Sequence, residues 1–289
     1  SMPFAERQFI KMTDNSSWLV YRSVLEEGVT PRSRIAELTG LSLMTIGRIT
    51  DRLEEEHILE RDRRKQTGAD LAGRRPALYR LSDRPFVMVA DMAAKPHNVS
   101  LYDVAGHSVD VTLAGDVKGC AAEFYNEYHN DIALNVVIVP DGQTEPVGVF
   151  PWKAPDLVVS ETTAAAWDAY NMALERTALY VGRTENSDWR ACCVSDGKLG
   201  YIGHGGIRTL INVTGDIQSA VAALIVALSP GYVAIEAPDS KYLAFAENLR
   251  DVVPDAPEIM ALTNKDNTHG SGAAMAALYR HLMAIKKLP

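Results

Sequence analysis

From Asn15 to Glu26 apolar side chains return every three to four residues, with Trp18, Tyr21 and Leu25 on one stripe and Val20 and Val24 beside it. That spacing predicts an amphipathic helix, which Gly28 can close. Thr30-Pro31 then offers an N-cap with proline at the first helical position. A short second helix follows, turning Ile35 and Leu38 inward and ending at Thr39-Gly40. Ser42 is a natural N-cap for a third helix to about Glu56, with Ile46, Ile49 and Leu53 on one face. After it the period drops from near 3.6 to 2. Ile58–Arg61 and Ala77–Leu81 read as the two strands of a hairpin, with Ala77, Tyr79 and Leu81 sharing a face.

Beyond residue 85 the pattern changes again. Apolar runs at 86–90, 99–102 and 109–113, with Asp103-Val104-Ala105-Gly106 as a turn, predict a three-stranded meander. Further strands are expected at 135–139, 157–159, 178–181, 190–194, 232–235 and 258–262, and helices at 163–175, 216–228, 241–252 and 271–285. Strands alternating with helices after a meander point to an α/β domain. No internal repeat is visible along the sequence. The chain therefore divides into a head, residues 1–84, and an α/β body, residues 85–289.

A short helix, a glycine-containing turn and a longer helix make a helix-turn-helix unit, and the basic hairpin behind it completes a winged helix. In such a head the third helix enters the DNA major groove by its N-terminal residues. Ser42, Leu43, Met44, Thr45, Gly47 and Arg48 lie on or near the face away from the core. Arg48 can donate a bidentate pair to guanine, Ser42 and Thr45 can reach bases or phosphates, and Leu43 and Met44 suit thymine methyls. At the hairpin tip, Arg64, Lys65, Arg74 and Arg75 are the expected phosphate and minor-groove contacts, with Gly73-Arg74-Arg75-Pro76 suited to a narrow groove.

Charge supports this division. The chain carries a net −8, yet residues 1–85 hold 15 Lys and Arg against 13 Asp and Glu, and the rest 14 against 24. Seven basic residues stand between Arg61 and Arg80, against Asp62 and Asp70. The expectation is a DNA-binding head on an acidic body. Three cysteines, two of them adjacent (Cys192, Cys193), suit neither a disulfide framework nor a metal knuckle, and are expected to be reduced packing residues. No membrane helix and no secretion signal is read from the sequence, so the expected compartment is the cytoplasm.

The head, the Gly-Arg-Arg-Pro linker and a body opening Val-Met-Val-Ala-Asp-Met-Ala-Ala-Lys together resemble the ROK family of repressors and sugar kinases. So do Val99–Gly106 and the closing Gly270-Ser271-Gly272-Ala273-Ala274. The resemblance implies an actin-like, ribonuclease-H-like body, here shortened. Two heads are needed to span a palindromic double-stranded DNA site, so a homodimer or higher homo-oligomer is expected, with a body able to sense a sugar-like or other small effector.

The departures from the family's kinases bear on activity. Their Asp-Ile-Gly-Gly-Thr phosphate turn is Asp91-Met92-Ala93-Ala94-Lys95 here, where each Cβ obstructs a phosphate. Their Asn-Asp pair, whose Asp is the base, is Ser160-Glu161, and the longer side chain misplaces the carboxylate. The second phosphate loop reads Gly182-Arg183-Thr184-Glu185-Asn186. Gly203-His204-Gly205 keeps the end of a sugar- and zinc-binding motif, but Tyr201 stands at its Glu and the cysteine-rich zinc segment is missing. The expectation is a regulator without kinase activity, cofactor or metal, in which Asp91, Glu161 and His204 are the candidate ligand contacts. The alternatives are a ROK-type sugar kinase with a DNA-binding head, and a DNA-binding, dimerising protein with no effector.

Overall fold

The computed structural model describes residues 16–63, 76–113, 115–143, 148–173, 177–185, 187–195, 198–202, 204–253, 255–263 and 269–285. The N-terminal part holds α1 (Ser16–Glu27), β1 (Thr30–Pro31), α2 (Arg32–Thr39), α3 (Leu43–Glu55), β2 (Leu59–Arg61) and β3 (Leu78–Leu81). The three short strands form one sheet in the order β1-β3-β2. One local expectation fails. Thr30 does not cap α2: it pairs with Tyr79 across the sheet, and Pro31 takes the N-cap position without a side-chain hydrogen bond. Gly40, at φ 71°, ends α2 in the left-handed conformation that a Cβ disfavours, and its N–H donates to the Ala36 carbonyl. Ser42 caps α3 as expected, its hydroxyl accepting from the Thr45 N–H at 3.1 Å.

The body is built on two five-stranded sheets. The first holds β4 (Val87–Asp91), β5 (Asn98–Tyr102), β6 (Ser108–Leu113), β7 (Leu134–Val139) and β8 (Leu157–Ser160), in the order β6-β5-β4-β7-β8. The second holds β9 (Thr177–Gly182), β10 (Arg190–Ser195), β11 (Lys198–Ile202), β12 (Tyr232–Ala237) and β13 (Glu258–Thr263), in the order β11-β10-β9-β12-β13. In each sheet the first three strands make an antiparallel meander and the last two run parallel to the first. The two halves repeat one topology that the sequence does not display.

Strand alternation sorts the side chains into layers. Val87, Val89, Val136 and Ile138 of the first sheet, and Ala178, Tyr180, Cys192 and Ala234 of the second, share one central core. Met88, Ala90, Val137 and Val139 face outward to α4 (Val117–Tyr128). Leu179, Val181, Cys193 and Val233 face outward to α6 (His204–Thr214), α7 (Ile217–Leu228) and α8 (Ala244–Val252). Cys192 and Cys193 thus lie on opposite faces of β10 and cannot meet, and both are buried, whereas Cys120 is only partly so. Two helices fill the centre, α5 (Glu161–Ala173) and α9 (Gly270–Ile285). Each crosses over. α5 leaves the first sheet and packs on β9 and β10 of the second, while α9 leaves the second and packs on β4 and β7 of the first.

The N-terminal helices join the same central core. Trp18 meets Trp167 edge-on at 6.2 Å and Tyr279 at 4.9 Å between ring centroids. The Tyr21 hydroxyl donates to the Val104 carbonyl at 2.6 Å. Among the described residues no single helix is long and apolar enough to cross a membrane.

Candidate functional site

Two surfaces carry the candidate residues. The first is α3. Ile46, Thr50 and Leu53 are buried and Ile49 packs beside them, which turns the opposite face to solvent. There Leu43 is 60% and Met44 69% exposed. Ser42 and Arg48 are exposed too, with Thr45 and Gly47 half-buried. A Cβ on Gly47 would meet only the Arg32 guanidinium, at 3.6 Å. Arg32 itself is held by Asp51 at 2.8 Å and by the Thr50 hydroxyl at 3.0 Å. Of the expected hairpin-tip contacts, Arg64, Lys65, Arg74 and Arg75 lie outside the described residues.

The second lies where the parallel strands of both sheets end, the place at which open α/β sheets form crevices. Asp91 ends β4, Asp141 follows β7, Glu161 follows β8, Glu236 lies near the end of β12, and His269 follows β13. Arg190 opens β10 and faces the centre, with Cys192 and Val194 on the same side. It donates to Asp141 and, at 2.6 Å, to Glu161. Since β10 belongs to the second sheet and Asp141 follows the first, this guanidinium spans the two halves. Asp141 also accepts from the Thr162 hydroxyl at 2.6 Å. Beside it, His269 bonds Asp168 of α5 through Nδ1 at 2.8 Å and Glu236 through Nε2 at 3.1 Å.

Burial works against charge on this histidine, but the hydrogen bonds to Asp168 and Glu236 outweigh it and push its pKa up to about 10. His269 is therefore an imidazolium at neutral pH. Burial raises Asp91 above the usual carboxylate range, against the backbone N–H groups of Ala94 and Ala93, which donate to it at 3.0 Å each. Burial and the nearby Asp91 raise Glu161 as well. Tyr180 is held neutral by burial and by Glu236, with which it is hydrogen bonded. Each carboxylate in the crevice is thus engaged: Asp141 and Glu161 by Arg190, Asp168 and Glu236 by His269, Asp91 by its own turn.

Asp91 and Glu161, singled out from sequence, do come together here. His204 opens α6 after β11, at the edge of the second sheet; its side chain is outside what is described. Sequence reading missed His269, Asp168, Glu236, Arg190 and Asp141. Two signals were available. Glu236 interrupts the apolar run Tyr232–Ala237, and Asp168 stands seven residues after Glu161, two turns along one helix face. Among the described residues no group of His, Cys, Asp and Glu is arranged to hold a metal ion.

No family model matches the sequence, and no curated protein matches it. Solved structures do. A ROK family transcriptional regulator, homolog of the E. coli MLC protein, matches with a TM-score of 0.62 at 14% identity, over 95% of this chain and 98% of that one. The chain shares that regulator's fold. A ROK family protein from Streptococcus pneumoniae TIGR4 in complex with sucrose matches at 12% identity over 67% of this chain and 99% of its own, with a TM-score of 0.44. The ROK hexokinase from Thermus thermophilus matches at 13% identity, over 66% and 97%, with a TM-score of 0.45. Within that fold, Glu161 meets Arg190 between the two sheets, with Asp91 and His269 close by.

Proposed function

We propose that the chain is a sequence-specific DNA-binding transcription regulator, acting as a homodimer on a palindromic site and lacking kinase activity. The observation that carries it is the outer face of α3. Two large apolar side chains, Leu43 and Met44, stand in solvent at its N-terminal turn beside Ser42, Thr45 and Arg48. A recognition helix in a winged head presents just such a turn to base edges in the major groove. Likeness of fold to a transcriptional regulator over nearly the full chain supports the reading. So does the basic run of sequence between β2 and β3, whose charge suits phosphates.

Against the kinase reading, one Glu161 oxygen is engaged by Arg190, which leaves one oxygen rather than two for a substrate hydroxyl. The Ala93 and Ala94 N–H groups, which a phosphate would need, are spent on Asp91. The internally paired crevice favours one further reading of the body, as a scaffold that dimerises and takes no charged effector. A thermal-shift screen of sugars, sugar phosphates and nucleotides separates the two. A ligand at 100 times its dissociation constant stabilises by about 2.7 kcal/mol, and the scaffold reading expects no shift.

Selection from a random DNA pool tests the main proposal. Recovery of an inverted repeat at moderate salt is the expected result. Uniform retention, lost with a modest rise in salt, would leave only non-specific electrostatic binding.

A further inference from the structure

The helices that line the crevice are also the helices on which the N-terminal part sits. On α5, Glu161 and Asp168 belong to the crevice, while Trp167 and Tyr170 receive α1: Trp167 meets Trp18, and the Tyr170 ring lies 4.9 Å under the Arg22 guanidinium. On α9, His269 stands just before the first turn. Met275 and Tyr279 then reach Tyr21 and Trp18. Further along, His281 lies 3.4 Å from Glu56, the residue that ends α3. Arg22 is buried between Trp18 and Tyr170, and its Nη1 has no hydrogen-bond partner among the described residues. A cation seated between two rings is sensitive to small shifts of α5, which carries one of them. The two helices cannot slide freely past each other, because Gly272 packs directly on the α5 backbone at Ala164 and Asp168. Packed elements of this kind pass displacements on rather than absorb them.

We propose that α5 and α9 form one lever, held at the crevice by His269 between Asp168 and Glu236, that sets how α1 and the end of α3 are seated. The head then follows the body with no flexible joint between them at this contact. Release of His269 from its two carboxylates, by a ligand or by mutation, loosens the seat of α1. Strain at Arg22 reaches His269 in return, because coupling between two sites is reciprocal. As a route for a regulatory signal the lever rests on the DNA-binding reading above; as a mechanical coupling it does not.

Amide hydrogen exchange on the full chain tests it without DNA. In His269→Gln the α1 amides should exchange about tenfold faster or more, while those of β12, which carries Glu236 in the other sheet, change less than about threefold. Arg22→Met should act the other way, speeding exchange at the start of α9 by a similar factor. Unchanged α1 exchange in His269→Gln would overturn the lever, as would loosening spread evenly over α1, β4 and β12. Selection of DNA by the wild-type protein reports on the head separately, so failure of one does not imply failure of the other.

Discussion

Gly272 of α9 rests against the Ala164 carbonyl of α5 so closely that a Cβ there would overlap both that oxygen and the Asp168 amide nitrogen. The contact lies where two alanine-rich helices cross: Ala164, Ala165 and Ala169 on one side, Ala273, Ala274 and Ala277 on the other, all buried. Gly272→Ala should therefore cost about 1–3 kcal/mol, the range for overpacking a tight core. Urea unfolding gives the number. A loss below about 0.5 kcal/mol would mean the crossing is looser than described.

Arg190 carries the link between the two halves. Its side chain is only 4% exposed, and Asp141 only 8%. Removing one partner of a buried ion pair strands the other charge, at a cost of about 3–5 kcal/mol. Arg190→Met should show that loss at neutral pH. The double variant Arg190→Met with Asp141→Leu should recover part of it, because the more buried of the two stranded carboxylates is gone and only the more exposed Glu161 remains.

Stability should respond to pH through His269. Its folded pKa lies above the ordinary value of 6.5, at about 10. A group raised in this way contributes its full stabilisation below the unfolded pKa and loses it as pH climbs through the folded one. The unfolding free energy of the wild type should thus decline from pH 6.5 toward 10, and His269→Gln should flatten that decline. Parallel pH profiles for the two proteins would show that His269 is not held charged by Asp168 and Glu236.

On α3, Leu43→Ala with Met44→Ala should leave stability within about 0.5 kcal/mol, since both side chains are exposed, yet weaken retention of the selected DNA. Arg48→Ala should relax preference at one position, by about 1–3 kcal/mol if it holds a guanine. Binding measured base by base on the selected site distinguishes the two effects.

The order of strands and helices could be read from the sequence because apolar period alone sets it: the strand at 232–237 and the helix at 217–228 are dense enough to announce themselves. The weaker elements could not. α4 carries Lys118, Gly119, Glu123 and Glu127 among its apolar residues, and β11 is a short edge strand with a glycine in its middle. The repeat was hidden for another reason. Its halves share burial pattern, not residues, and are unequally elaborated: α4 joins β6 to β7, whereas α6 and α7 join β11 to β12. The crevice was half legible. Asp91 and Glu161 stand in recognisable surroundings, but Arg190 and His269 meet them only through the crossing of α5 and α9, which no local spacing encodes.

That crossing has a consequence for how the body comes to exist at all. Each half gives its last helix to the other, so neither sheet can cover its inner face from its own stretch of chain. A fragment ending near residue 173 would leave the first sheet bare on the side where α9 belongs, and a fragment starting near 177 would lack α5 in the same way. The halves are interlocked partners, each completing the other's inner face, and are expected to unfold together rather than one at a time.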